Sequence, residues 1–269
     1  MQDTKAQDHP VALAAHLGAA LRDAGPIALR SYRNANIKSW TKGKDSPVSE
    51  ADIAVDQFLR ERLTREGYGW LSEESVDDRA RLSSRRLFIV DPIDGTRSFL
   101  AGRSDWSIVA AVVEDGRPLA AAIYAPVEDE LFLASAGHGA TRNGEPIAAT
   151  DGGSISDARI AGPKSFLERL SEFDRGTVHI PKIYSLALRM TRVAEGRIDG
   201  AMASVNASDW DLAAADLLVH EAGGVLTDFA GKRLVYNLHD PVHGAIVAAG
   251  RSRHALLLDL VQNRREQFV

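Results

Sequence analysis

Apolar residues recur at helical spacing near the start of the chain, where Leu13, Leu17, Leu21 and Ile27 mark the inner face of a helix over about Val11 to Arg33. A polar segment runs on to Pro47. Ser49 then opens a second helix, with Asp52 in the capping-box position three residues later and Ile53, Val55, Phe58, Leu59 and Leu63 as its apolar pattern. Strand signals follow at Gly69-Trp70-Leu71, Leu87 to Val90, Trp106 to Glu114, Leu119 to Pro126 and Glu130 to Ala136. Turn sequences stand at Glu114-Asp115-Gly116-Arg117 and Arg142-Asn143-Gly144-Glu145. An antiparallel sheet flanked by helices is expected. The tract Thr150 to Ser154 marks a boundary, which predicts an N-terminal α+β subdomain over 1–150 and a C-terminal α/β subdomain over 151–269. The second part carries helical patterns near Lys164 to Phe173, Tyr184 to Glu195 and Leu212 to Ala222, with strands at Gly224 to Asp228 and Ala245 to Ala249.

Composition narrows the function classes. A chain of 269 residues can bury a substantial core, and its formal net charge of -5, with both signs interspersed, argues against a nucleic-acid polymer as partner. Basic runs such as Arg79-Ala80-Arg81 and Arg85-Arg86 read as solvated faces. With no cysteine there is no disulfide, thiol nucleophile or cysteine-bound zinc. The absence of a long apolar stretch and of a signal-like start predicts a cytoplasmic protein with no membrane partner.

Candidate chemistry concentrates in Asp91-Pro92-Ile93-Asp94-Gly95-Thr96, directly after the apolar run Leu87 to Val90. Pro92 and Gly95 are expected to end the strand in a tight turn on which both carboxylates converge, a hard-oxygen arrangement suited to Mg²⁺ beside phosphate. Further acids stand where they could reach that turn: Glu73 and Glu74 after a short strand, Asp52 at a helix start, and Asp211 at the opening of the helix from Leu212 to Ala222. Each also has a purely structural reading. Asp52 can be a capping acid, Asp211 a first-turn carboxylate, and Glu73 and Glu74 a solvated loop.

The ordered set Ser46 to Asp52 (SPVSEAD), Ser72 to Ser75 (SEES), Asp91 to Phe99 (DPIDGTRSF), Gly137 to Ile147 (GHGATRNGEPI) and Trp210 to Gly224 (WDLAAADLLVHEAGG) resembles the inositol monophosphatase superfamily over about residues 10 to 250. The resemblance implies a layered αβαβα sandwich, a lithium-sensitive, Mg²⁺-dependent phosphatase acting on a small phosphorylated substrate, two or three Mg²⁺ per site, and a homodimer. It implies that Glu73, Asp91 and the carbonyl of Ile93 hold a first metal, and that Asp91, Asp94 and Asp211 hold a second. Thr96, paired with Asp52 and flanked by Glu73, would activate water. Asp94, Gly95 and Thr96 would also meet substrate, with backbone N–H groups near Gly95 and Thr96 facing phosphate and Gly95 bare so that phosphate can approach.

Within that superfamily the local features diverge. The glutamate that helps inositol phosphatases to bind sugar hydroxyls, seven residues before the Trp-Asp aspartate, is replaced here by Ser204. Lys44 to Asp52, Trp70 to Ser75 and Tyr124 to Phe132 are more similar to bacterial 3′(2′),5′-bisphosphate nucleotidases, which act on adenosine 3′,5′-bisphosphate from sulfate assimilation. Inositol-1-monophosphatase and histidinol-phosphate phosphatase are the alternatives, with a non-catalytic phosphate- or metal-binding regulator as a fourth reading. A bisphosphate needs a second cationic contact. Lys182 is the candidate, with Tyr184 and Ser185 beside it ahead of a helix.

Overall fold

The computed structural model describes residues 8–34, 36–42, 46–77 and 79–263. Lys44 and Asp45 of the segment from Lys44 to Asp52 lie outside them. The first helix, α1 (Pro10–Ser31), starts one residue before the expected position, with Pro10 in its first turn and the His9 side chain accepting from Val11 N at 3.4 Å. A short hairpin of β1 (Ser39–Lys42) and β2 (Ser46–Ser49) leads into α2 (Glu50–Leu63).

A seven-stranded sheet follows in spatial order β3 (Tyr68–Ser72), β4 (Arg86–Asp94), β5 (Ser107–Glu114), β6 (Arg117–Ala125), β7 (Glu130–Ser135), β8 (Ala140–Arg142) and β9 (Glu145–Pro146). Its pairs are antiparallel except β3 with β4, which run parallel and need the crossover through the 3₁₀ turn at Ala80–Ser83. That parallel pair corrects the expectation of a uniformly antiparallel sheet.

The strands read as unbroken apolar runs because both faces of the sheet are covered. Phe88 and Val90 of β4, with Ile108, Ala110 and Val112 of β5, face α1 and α2; Leu87, Ile89, Val109, Ala111 and Val113 face the opposite side. That second face packs on α5 (Leu186–Ala194) and α6 (Asp209–Glu221). Beyond these helices lies a five-stranded sheet in the order β11 (Val178–His179), β10 (Arg159–Ala161), β12 (Gly200–Ala203), β16 (Ile246–Gly250) and β14 (Gly224–Asp228). Its outer face buries Phe166, Leu167 and Leu170 of α4 (Lys164–Phe173) and Leu257 and Val261 of α7 (Arg251–Asn263). The remaining helix is the one-turn α3 (Thr96–Leu100), and β13 (Ala207–Ser208) pairs with β15 (Val242–His243). Three apolar cores fill the four interfaces between five layers, the central one lying on both sides of α5 and α6, which gives the αβαβα sandwich that the resemblance implies. Among the described residues no helix is long and apolar enough to cross a membrane.

Close approach of α1 to the sheet depends on small residues. Ala120 and Ala122 of β6 face the helix, and a Cβ added at Gly18 or Gly25 would lie 2.8 Å from Leu133 Cδ2 or 2.6 Å from Tyr124 Cε1. Gly25→Val should therefore destabilise the fold by about 1–3 kcal/mol through overpacking. Urea denaturation measures this, and an unchanged midpoint would mean that α1 has room to move away from the sheet.

Candidate metal and phosphate site

The site forms where β3 and β4 end side by side. Their parallel register pairs Ser72 with Val90, and Glu73 N extends the ladder to Val90 O at 3.3 Å, which brings Glu73 next to Asp91. β4 does not end at Pro92 as the sequence suggests. It continues through Asp94, with its register against β5 slipping between Asp91 and Asp94. Pro92 has no N–H to give the ladder, and Ile93 N turns back to Asp91 Oδ1 at 3.1 Å, so the strand absorbs the irregularity as a bulge. Gly95 then takes φ +94° and α3 begins at Thr96.

Across the layer, the start of α6 brings in Asp211. One carboxylate oxygen each from Asp91, Asp94 and Asp211 lies within 4.8 Å of the others. Together with Glu73, Ile93, Gly95 and Thr96 they line a cavity of about 170 Å³. Contributions from both sides of residue 150 therefore meet at one point.

Asp211, Asp52 and Asp94 are held by hydrogen bonds at helix starts. Asp211 is the N3 acid of a capping box at α6, its Oδ2 accepting from Ser208 N at 2.6 Å. Asp52 is the corresponding acid of α2, where its Oδ2 accepts from Ser49 N at 2.8 Å and Ser49 Oγ at 2.6 Å. Its other oxygen, Oδ1, accepts from Thr96 Oγ1 at 3.2 Å, so Asp52 caps α2 with one oxygen and meets Thr96 with the other. Asp94 accepts from Ser185 Oγ at 2.5 Å, Ala187 N at 2.7 Å and Leu186 N at 3.1 Å at the start of α5.

The electrostatics are those of crowded negative charge. Burial, followed by the charges of Glu73, Asp94, Asp211 and Asp52, pushes the Asp91 carboxyl well above its usual range. Burial, then Asp94, does the same to Asp211. Glu73 is raised to about 7 by burial, against the pull of Lys42, whose Nζ lies 3.8 Å from it. Asp94 is also raised by burial, although its hydrogen bonds to Ser185, Ala187 and Leu186 work the other way. A set of hard oxygen donors that repel one another at this separation fits divalent cations, which would relieve the repulsion and bridge the carboxylates.

Three expectations need revision. Ser185 has no exposed surface: its hydroxyl donates to Asp94 and accepts from Leu188 N at 2.9 Å, so it anchors Asp94 and caps α5 instead of touching a substrate. Gly95 is bare for an intramolecular reason. Besides its positive φ, a Cβ there would sit 3.1 Å from both Asp105 O and Ser185 N, where two loops press on the turn. Glu74 turns away from the cluster to Lys42 Nζ at 2.6 Å.

Lys182 lies outside the carboxylate cavity, in an adjoining cavity of about 570 Å³ that also contains Ser204, Lys164, His179 and Arg189. Its Nζ sits 4.4 Å from the ring centre of Tyr184, which lines the smaller cavity. Two contributors escaped the sequence reading. Arg189 is 9% exposed, its guanidinium donating to Ile183 O at 2.7 Å and Met202 O at 3.2 Å while its Nε stays buried without a partner. A lone arginine inside the apolar run Leu186 to Met190 was the available signal. Asp56, one turn after Asp52 on α2, accepts from Ser72 Oγ at 2.5 Å and Ser75 Oγ at 2.7 Å and so clamps the segment that carries Glu73. The i, i+4 spacing of the two aspartates was the clue.

A five-layer α/β sandwich that gathers buried carboxylates beside a glycine turn, near a pocket that holds Lys182 and Arg189, defines the class of phosphoric monoester hydrolases that use divalent metals. The sequence model of the inositol monophosphatase family matches residues 9–266, and the chain belongs to that family. It is 33% identical over 207 residues to an inositol-1-monophosphatase of Rhizobium meliloti, covering 73% of this chain and 77% of the relative. Over 205 residues it is 35% identical to a histidinol-phosphatase of Mycobacterium tuberculosis, covering 71% and 77%. The crystal structure of the extragenic suppressor protein SuhB from Bartonella henselae superimposes with a TM-score of 0.81 at 29% identity, covering 94% of this chain and 99% of that one. Members of the family are phosphatases, and this chain is an enzyme of that kind.

Charge crowding has a measurable consequence. Asp91→Asn should raise the melting temperature in chelator, because it removes one buried negative charge, at about 2–4 °C per kcal/mol for a chain of this size. Added Mg²⁺ should stabilise the wild type and leave the variant nearly unmoved. A variant that melts lower than the wild type in chelator would show that the cluster is not under electrostatic strain.

Proposed function

We propose that the chain hydrolyses a phosphomonoester whose remaining part carries a second anionic group, with adenosine 3′,5′-bisphosphate as the best candidate. The observation that carries this reading is the larger cavity beside the carboxylates: Lys182 and the nearly buried Arg189 give it cationic groups, while Lys164 in the same lining is paired with Glu168 at 3.6 Å. Such groups favour a second phosphate and disfavour the positively charged amine of histidinol phosphate. Ser204 in the same lining offers no carboxylate to bind sugar hydroxyls. The second reading, an inositol monophosphatase, is favoured by likeness to the Rhizobium meliloti relative.

Glu73, Asp91, Asp94, Asp211 and the Ile93 carbonyl are the groups that would hold Mg²⁺. When bound, the cations supply charge neutralisation at the phosphoryl oxygens and make water more acidic. The chain's own part is orientation. Thr96 Oγ1 lies 3.1 Å from Ile93 O and 3.2 Å from Asp52 Oδ1, and its hydroxyl can donate to the Asp52 carboxylate. The Thr96 oxygen then presents lone pairs to the attacking water and can take a proton from it as its own passes to Asp52. Ser49 holds the far side of Asp52, which fixes the direction of this relay. Water adds to phosphorus as the ester P–O bond breaks, the leaving oxygen takes a proton from solvent water, and the proton held by Asp52 returns to solvent.

Thr96→Ala should lower kcat by about 10²–10⁴ while Mg²⁺ affinity changes much less. Asp52→Asn should act in the same direction, with the double variant no worse than the poorer single one. Strict additivity in single-turnover kinetics would mean that Asp52 serves only as a helix cap. Turnover that persists in chelator would overturn the metal-dependent scheme altogether.

Substrate choice is tested on purified protein with adenosine 3′,5′-bisphosphate, inositol 1-phosphate and histidinol phosphate, with and without Mg²⁺. The bisphosphate is expected to lead in kcat/KM by orders of magnitude, since its second phosphate supplies remote binding energy. Lys182→Ala should raise KM for the bisphosphate about tenfold, the loss of roughly one charge-assisted contact, and leave the monophosphates nearly unchanged. Faster hydrolysis of inositol 1-phosphate would instead establish the second reading.

A further inference from the structure

Helix α6 carries Asp211 near its start, and at its other end, about 13 Å away at 1.5 Å per residue, His220 faces a separate cavity of about 370 Å³. Three arginines reach this cavity from different elements: Arg117 from the start of β6, Arg233 from the turn after β14, and Arg251 from the first residue of α7. Two acids line it as well, each with internal contacts, although Asp216 Oδ1 is buried without a hydrogen-bond partner. Asp216 Oδ2 accepts from Tyr236 Oη at 2.9 Å, and its Oδ1 lies 2.7 Å from His220 Nδ1. Glu221 accepts from Gly137 N and Gly139 N, each at 2.8 Å.

The cations are not matched in the same way. Arg117 Nη1 donates to the main-chain oxygen of Leu234 at 2.6 Å, which orders the side chain without neutralising it. Arg233 and Arg251 make no hydrogen bond or ion pair among the described residues. His220 Nδ1 donates to Asp216 O at 2.9 Å, and its Nε2 is buried without a partner. The cavity thus offers three exposed guanidinium groups and an unpaired imidazole nitrogen, against two carboxylates that keep their charge. Guanidinium forks suit the tetrahedral oxygens of phosphate, and a buried imidazole nitrogen left unpaired is a cost that a ligand can remove.

We propose that this cavity is a second anion site, distinct from the hydrolytic centre, that binds inorganic phosphate. The two sites differ in what they need. The carboxylate cluster accepts an anion only with cations in place, whereas the arginine cavity binds without metal.

Isothermal titration with inorganic phosphate at low ionic strength separates them. Chelator-treated wild type should retain one saturable site, and Arg233→Ala/Arg251→Ala should weaken it at least tenfold. Lys182→Ala should leave it unchanged. In Mg²⁺ the double variant should keep its turnover, since neither arginine approaches the carboxylate cavity. The same titration of Asp91→Asn keeps the result readable if chelation perturbs the fold. Absence of saturable binding in both metal-free proteins, or undiminished binding by the double arginine variant, would overturn the proposal.

Discussion

Mutual repulsion among buried carboxylates is the constraint around which this molecule is organised. Asp91, Asp94 and Asp211 bring oxygens within 4.8 Å of one another while Asp91 and Asp94 are almost wholly removed from water. Left to itself, such a group costs free energy and drives carboxyl pKa values upward. The fold tolerates this because Asp211 and Asp94 are immobilised by donors outside the cluster, Ser208 N and the start of α5, while Asp91 accepts from Ile93 N on its own turn. Divalent cations are then the natural complement to the part of each acid that remains.

The same donors explain why the architecture is layered. Asp52 and Asp211 both occupy N3 of a capping box, each using one oxygen to satisfy the main chain at a helix start. The helices they begin, α2 and α6, lie on opposite faces of the seven-stranded sheet. A site between helix starts on opposite faces can exist only where a strand end projects past the sheet. The bulged end of β4 does so, and its irregular register is the geometric feature that lets Asp91 and Asp94 serve one centre.

Position within the layers also separates the carboxylates from the nearby cations. Carboxylates gather at the strand ends, and cations line the neighbouring cavity, with Tyr184 between them. Arg189 connects the two, since it lines the cationic cavity while its charge acts on Asp94. Lys164, Lys182 and Ser204 line that neighbouring cavity and not the carboxylate one.

The sequence by itself determined the local and periodic features. Continuous apolar runs marked strands covered on both faces, helical spacing marked α1, and the series Asp91 to Thr96 marked a glycine turn with two carboxylates, because these depend on residues close together in the chain. Capping at Asp52 was legible for the same reason. What only the tertiary structure decided were the relations across layers. Parallel pairing of β3 with β4 brings Glu73 beside Asp91, Ser185 is buried as an anchor of Asp94, and Gly95 is pressed by Asp105 and Ser185. Arg189 and the meeting of Arg117, Arg233 and Arg251 at one cavity belong with these. Each depends on contacts between residues far apart in sequence, and a one-dimensional pattern carries no record of which distant side chain will be packed against which.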